Sequence, residues 1–141
     1  MDEMRVFVDS NVFIFANIEE YPEHNIAKKK LKNLMDKSCK ILLNAIIVSE
    51  VHYKLYRLLN AEEAYERTLK IIFSGHVEYV QLEEDTVLKA IELSLSKNIR
   101  INDALIAQHV LDLDADGLVT DNTKDFVKVE GLRVIELRGD E

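Results

Sequence analysis

The chain has little of several residue types, and each shortage excludes a class of protein. Cys39 is the only cysteine, which excludes an internal disulfide and a zinc site built from several thiolates. One proline and four glycines punctuate 141 residues, and no linker, repeat or low-complexity tract interrupts them. The apolar runs are only strand-sized, and the opening MDEMRVFVDS lacks the basic and then apolar layout of a signal peptide. We therefore expect a single domain over residues 1–141, located in the reducing cytoplasm and not in a membrane.

Positive charge is also in short supply. The 26 Asp and Glu outnumber the 18 Lys and Arg, so the net charge is −8 and the pI is near 5.0. A surface of this kind does not attract polyphosphate as a whole. Binding of a nucleic acid would need a local basic patch, or cations that neutralise a local acidic one. The only dense basic stretch comprises Lys28, Lys29, Lys30, Lys32, Lys37 and Lys40, and a solvated helix face explains it at least as well.

Short apolar runs alternate with segments of helical period along the chain. The predicted strands are 4–8, 40–45, 76–82, 117–120 and 133–137, and a polar loop is expected after the first. The predicted helices are 25–38, 48–58, 61–74, 85–97 and 103–111, the last with Asn102 as its N-cap. Strands separated by helices need crossover connections. This order predicts an α/β fold, a three-layer α/β/α sandwich with a mostly parallel central sheet.

Acidic side chains follow the predicted strands at the positions where such sheets form sites. Asp9 ends the first strand and Asp121 follows the strand 117–120, while Glu50 and Asp103 lie near the starts of two helices. Sites in open parallel sheets form outside the carboxyl ends of the strands, so these four carboxylates are expected to converge. Like charges so close together oppose ionisation unless a cation neutralises them. Mg²⁺ or Mn²⁺ suits such a set because both prefer oxygen ligands.

Each acid also has a simpler explanation when it is taken alone. Asp9 suits a turn or a helix cap, Glu50 an ion pair on a solvated face, and Asp103 the positive end of a helix dipole. Asp121 and Asp125 both suit a surface turn. The argument for a site therefore rests on four acids falling together at one edge of the predicted sheet.

Four segments of the chain resemble the acidic motifs of a known family. FVDSNVFI, NAIIVSEVHYKL, RINDALIAQH and VTDNTKDF are similar, in order and in spacing, to those of PIN-domain ribonucleases. A chain of this length is most similar to the VapC toxins of prokaryotic type II toxin–antitoxin systems. The resemblance implies a catalytic site in which Mg²⁺ or Mn²⁺ is surrounded by Asp9, Glu50, Asp103 and Asp121, with Asn11 and Asp125 as secondary members.

The resemblance also implies a reaction and partners. The reaction would be metal-assisted hydrolysis of a phosphodiester in tRNA, rRNA or mRNA, with Asp9 and Asp103 as direct metal ligands. Glu50 and Asp121 would complete the site, directly or through water. Arg100 lies three residues before Asp103 and is a candidate to contact a substrate phosphate. A small antitoxin and a second copy of the chain are expected partners through the resemblance alone.

Other interpretations of the same residues remain open. Phosphatases of the haloacid-dehalogenase type and receiver domains also use a strand-end aspartate, but the phosphatase pattern needs a second Asp where Asn11 stands. Asp112, Asp114 and Asp116 begin like a calcium loop, yet Thr123 occupies its twelfth position, so this segment is predicted to be a solvated turn. A PIN-domain nuclease of RNA processing outside the toxin class, and a non-catalytic PIN-like interaction domain, are the remaining alternatives.

Overall fold

The computed structural model of the chain describes residues 3–139, so the ends of the predicted domain, residues 1–2 and 140–141, lie outside the described residues. Within the described range the strands are β1 (Arg5–Val8), β2 (Lys40–Leu43), β3 (Val77–Tyr79), β4 (Gly117–Thr120) and β5 (Val134–Glu136). The helices are α1 (Ser10–Asn17), α2 (His24–Asp36), α3 (Ala45–Leu58), α4 (Ala61–Ile72), α5 (Glu84–Lys97), α6 (Ile101–Asp112) and α7 (Thr123–Phe126). None of these helices is both long enough and apolar enough to cross a membrane.

The five strands form one sheet in the order β3-β2-β1-β4-β5, and every pair of neighbours is parallel. In the register at the centre, Val6 of β1 lies opposite Ile41 of β2 and Gly117 of β4. The predicted α/β class with a parallel central sheet is confirmed. Because β1 lies in the middle, the residue that follows it is placed at the centre of the carboxyl edge.

The helices cover both faces of the sheet. The chain moves outward from β1 to β3 through α1–α4 and returns across the sheet to β4 and β5 through α5–α7. Right-handed crossovers in opposite directions place these two groups of helices on opposite faces. Contacts follow this division, since α1 packs against α2 and α3, whereas α6 packs against α5 and α7. The core between the layers includes Phe7, Leu42 and Leu118, all of them buried.

The polar loop expected after the first strand is absent, and this prediction is wrong. The helix α1 begins at Ser10, directly after β1, because the Asp9 carboxylate accepts a hydrogen bond from the Ser10 backbone N–H and acts as its N-cap. Val12 and Phe13 of this helix are buried. A short helix packed in this way has no clear polar face, so its sequence shows no helical period.

Other boundaries differ because cap residues interrupt the predicted elements. Asn44 accepts a hydrogen bond from the Ile47 N–H at 3.1 Å, so β2 stops at Leu43 and α3 starts at Ala45. The helix α6 starts at Ile101 with Arg100 at the N-cap position, so Asn102 is not the cap. The edge strand β3 covers only three of the seven residues predicted for it. In α2, whose lysines were expected to face solvent, Lys30 is buried.

The acids of the calcium-like segment are used within the fold. The Asp112 carboxylate accepts hydrogen bonds from Thr86 Oγ1 at 2.6 Å and Gln108 Nε2 at 2.9 Å. The Asp116 carboxylate accepts one from the Arg5 backbone N–H at 2.7 Å. These bonds tie the end of α6 and the turn that follows it to their neighbours, and Asp112, Asp114 and Asp116 are exposed, as predicted for a solvated turn.

Candidate active site

The carboxyl edge of the sheet gathers the predicted acids from four elements. Asp9 follows β1 and Asp121 follows the neighbouring strand β4, so the two residues leave the sheet side by side. Glu50 lies in the second turn of α3, and Asp103 lies in the first turn of α6. The helices α3 and α6 are in contact with each other across this edge.

Asp9 is almost completely enclosed, with 4% of its surface exposed. One carboxylate oxygen, Oδ1, accepts from the Ser10 N–H at 2.7 Å. The other, Oδ2, accepts from Thr120 Oγ1 at 2.8 Å and from Asn11 Nδ2 at 3.3 Å. The Asn11 side-chain oxygen Oδ1 accepts from the Asp121 N–H at 3.2 Å, so this side chain joins the ends of β1 and β4.

Burial and crowding both disfavour the charged form of the central acids. Loss of water raises the pKa of Asp9 from 3.8 to about 6, and the charges of Glu50 and Asp103 act in the same direction. Hydrogen bonds from Thr120 and Ser10 oppose this rise in the pKa of Asp9. Burial also raises the pKa of Asp103, against the Arg100 charge and with the charges of Glu50 and Asp125. Asp9, Glu50 and Asp103 are therefore close enough to form one electrostatic cluster.

Asp103 has an oxygen without a hydrogen bond. The residue is 3% exposed, and its buried Oδ2 receives no hydrogen bond from the described residues. Arg100 Nε lies 3.6 Å from this oxygen, which makes an ion pair but exceeds the usual length of a hydrogen bond. The Arg100 side chain itself is largely exposed.

Glu50 is oriented by two side chains that the sequence analysis did not include in the site. Its Oε1 accepts from Ser10 Oγ at 2.8 Å, and its Oε2 accepts from Asn102 Nδ2 at 3.1 Å. Thr120, which bonds to Asp9, was missed in the same way. All three polar residues are direct sequence neighbours of a predicted acid, and that adjacency was the available signal.

Asp121 lies at the same edge, but its carboxylate is engaged elsewhere. Its Oδ1 accepts from Arg138 Nε at 3.0 Å, and Arg138 also donates to Glu23 Oε2 at 2.7 Å. No local pattern in the sequence pointed to Arg138. Asp125 contributes its charge to the surroundings of Asp103 and forms an ion pair with Lys128 at 3.4 Å.

The chemistry of the central acids fits a hard divalent cation. Across residues 3–139, no three Asp, Glu, His or Cys side chains are arranged closely enough to hold a metal ion as they stand. The cluster nevertheless offers only oxygen donors, an Asp103 oxygen without a hydrogen bond, and an Asp9 whose pKa is raised by like charge and burial. A bound cation would favour the ionised form of every member, and Mg²⁺ and Mn²⁺ prefer such donors.

Comparison with protein families identifies the fold. A model of the PIN domain matches residues 6–132. The chain belongs to the PIN domain family. No curated protein matches this PIN domain at the level of sequence.

Solved structures share the fold at low sequence identity. VapBC2 from Rickettsia felis, bound to a DNA fragment from its promoter, matches with a TM-score of 0.75 and 21% identity, covering 94% of this chain and 98% of the other. A toxin–antitoxin complex from Klebsiella pneumoniae matches with a TM-score of 0.66 and 18% identity, over 94% and 97% of the two chains. VapC20 from Mycobacterium tuberculosis, a toxin that cleaves the sarcin–ricin loop, matches with a TM-score of 0.68 and 16% identity, over 80% and 86%.

Proposed function

We propose that this PIN domain is a ribonuclease dependent on Mg²⁺ or Mn²⁺ and is the toxin of a type II toxin–antitoxin pair. One observation carries the nuclease proposal: Asp9, Glu50 and Asp103 form one cluster at the carboxyl edge, in which Asp9 and Asp103 are buried and one Asp103 oxygen has no hydrogen bond among the described residues. Clusters of buried carboxylates with raised pKa values are typical of functional sites. Structural likeness to VapBC proteins supports the assignment to the toxin class.

In this proposal Asp9 and Asp103 hold the cation directly, and Glu50 and Asp121 complete the site. When bound, the cation polarises the scissile phosphate and lowers the pKa of an attacking water. Hydrogen bonds from Ser10 to Asp9 and Glu50, and from Asn102 to Glu50, fix the orientation of the carboxylates before a cation arrives.

The remaining polar groups have supporting roles in the proposal. Thr120 and Asn11 orient the second oxygen of Asp9, and Asp125 adds negative charge near Asp103. Arg100, exposed beside Asp103, binds the substrate phosphate. The guanidinium suits this role because it presents several donors and stays charged at every physiological pH.

The proposed partners follow from the toxin class. We assign a small antitoxin protein and a second copy of the chain as protein partners, and tRNA, rRNA or mRNA as substrate. The cytoplasm is the proposed location, because it holds these RNAs and keeps a thiol such as the buried, unbridged Cys39 reduced.

The test is cleavage of mixed tRNA and structured RNA by the purified chain with Mn²⁺, with Mg²⁺ or with excess chelator. Asp103→Asn serves as the inactive variant, and Asp85→Asn is the matched control because Asp85 is exposed on α5 and pairs only with Lys89 among the described residues. We expect cleavage with metal, none with chelator, and a loss of at least about a hundredfold in Asp103→Asn, the size of effect seen when a stabilising group is removed from an active site.

The outcomes separate the alternatives. Equal cleavage by Asp103→Asn and the wild type would refute the proposed site. Absence of both cleavage and divalent-metal binding would favour the non-catalytic interaction domain. A further outcome is cleavage that depends on metal and yet is inhibited by no small protein encoded beside the gene. That result would favour an RNA-processing nuclease over a toxin.

A further inference from the structure

Arg138 holds a carboxylate that the proposed metal site needs. Asp121 pairs with Arg138 Nε at 3.0 Å, within hydrogen-bond distance, whereas the pair of Asp103 with Arg100 is longer, at 3.6 Å. By contrast, Asp9 and Asp103 lie near another negative charge, that of Glu50, which contributes to the rise in the pKa of both. We propose that Arg138 is a positioning residue that holds Asp121, and that a divalent cation at the acidic cluster must compete with Arg138 for this carboxylate. This inference rests on the proposed function.

The sheet itself places Arg138 beside Asp121. In the ladder between β4 and β5, Thr120 lies opposite Glu136. The Leu137 N–H then donates to the Thr120 carbonyl at 3.0 Å, and the Leu137 side chain is buried. The backbone on either side of the ion pair is therefore held by a strand contact and by core packing, so the pairing of Arg138 with Asp121 follows from the fold.

A second acid holds the other end of the guanidinium. Arg138 Nη2 donates to Glu23 Oε2 at 2.7 Å, and Glu23 lies at the N-cap position of α2. The side chains of Glu23 and Asp121 are 19% and 22% exposed, whereas that of Arg138 is 54% exposed. If Asp121 turns towards a cation, Glu23 still holds Arg138 in place.

The strength of the pair sets the size of the expected effect. An ion pair with a half-exposed arginine is weak, which allows a divalent cation to displace it. Removal of Arg138 should therefore tighten cation binding by only about two- to fivefold, the range that corresponds to exposed ion pairs. Lysine at this position keeps the charge and should restore an affinity close to that of the wild type.

The experiment is calorimetric titration of the full chain with Mn²⁺, without RNA, so that the readout is independent of activity. The variants are Arg138→Gln, Arg138→Lys, Asp121→Asn and the double variant Arg138→Gln with Asp121→Asn. Lys124→Gln is the matched control, because it removes one positive charge from the exposed surface of the neighbouring helix α7. Circular dichroism confirms that each variant is folded.

We expect tighter Mn²⁺ binding in Arg138→Gln, little change in Arg138→Lys and Lys124→Gln, and no effect of Arg138→Gln once Asp121 is asparagine. Unchanged or weaker Mn²⁺ binding in Arg138→Gln refutes the proposed competition for Asp121 and does not contradict the proposed metal site. An equal gain in Mn²⁺ affinity in Lys124→Gln also overturns the competition, because the loss of any nearby positive charge would then explain the effect. Absence of Mn²⁺ binding in every variant, the wild type included, overturns both this inference and the proposed function.

Discussion

Replacement of Asp9 by asparagine should change the stability of the protein in opposite directions at low and at high pH. The substitution keeps the shape of the side chain and removes its charge. In the wild type the folded state carries a buried Asp9 carboxylate whose pKa lies near 6, against 3.8 in an unfolded chain. Because the folded pKa is the higher one, ionisation of Asp9 costs the folded protein stability as the pH rises from about 4 to about 6.

The magnitude follows from two opposing effects. A shift of about two pKa units corresponds to about 3 kcal/mol. The folded protein bears this full cost of ionising Asp9 above pH 6, and none of it below pH 4. Asparagine can still accept from the Ser10 N–H, but its amide group would face the Thr120 hydroxyl and the Asn11 amide, which donate to Asp9 at 2.8 Å and 3.3 Å. Loss of these two bonds costs about 2 kcal/mol at every pH. Asp9→Asn should be about 1 kcal/mol more stable than the wild type at pH 8 and about 2 kcal/mol less stable at pH 4.

The assay is urea unfolding of both proteins from pH 4 to pH 8, with chelator to keep the acidic cluster free of metal. The quantity of interest is the difference between the two free energies of unfolding at each pH, because the titration of other groups largely cancels in it. Asp85→Asn on the surface of α5 is the control and should give a difference that stays within about 0.5 kcal/mol of zero. A difference for Asp9→Asn that does not vary between pH 4 and pH 8 would refute the argument that Asp9 ionises against burial and like charge.

Two further changes test packing that positions the site. Gly117→Ala should lower the free energy of unfolding by about 1–3 kcal/mol, because a Cβ there would lie 2.9 Å from Ile135 Cδ1 and 3.1 Å from the Arg133 carbonyl oxygen. Thermal unfolding checks this, and an unchanged melting temperature would contradict it. Asn44→Ala should cost about 2–3 kcal/mol, because it removes the cap of α3 and the 2.9 Å bond between Asn44 Nδ2 and the buried His109 Nδ1. Urea unfolding measures the loss, and a cost below about 0.5 kcal/mol would contradict this account.

The layered fold was predictable because its signals are local. The inner strands β1, β2 and β4 are short apolar runs, and the helices on the outside carry apolar residues at helical spacing. Two helices escaped prediction, α1 and the four-residue α7, and α1 differs in kind. It depends on the Asp9 cap and on burial of Val12 and Phe13 against other elements, and a helix defined by tertiary packing leaves no periodic pattern in its own sequence.

The acids of the candidate site were predictable for a similar reason, since each falls just after a strand or at the start of a helix. Their hydrogen-bond partners were not, because the pairing depends on side-chain directions in space. Asn102 looked like a helix cap by its position, yet its amide donates to Glu50, 52 residues away in the sequence. Arg138 contacts Asp121 only because β5 runs parallel to β4, and that ladder is a property of the assembled sheet.

The central position of β1 also bears on when the site can exist during synthesis. Its neighbour β4 is made more than a hundred residues later, and the hydroxyl that bonds to Asp9 belongs to Thr120, 111 residues further along the chain. A growing chain that stops before β4 carries Asp9, Glu50 and Asp103 but has an open sheet and an incomplete carboxyl edge. A chain assembled in this order would acquire the proposed site only after Thr120 has been made, so a chain that is still short of β4 would not present a complete site to the ribosome that makes it.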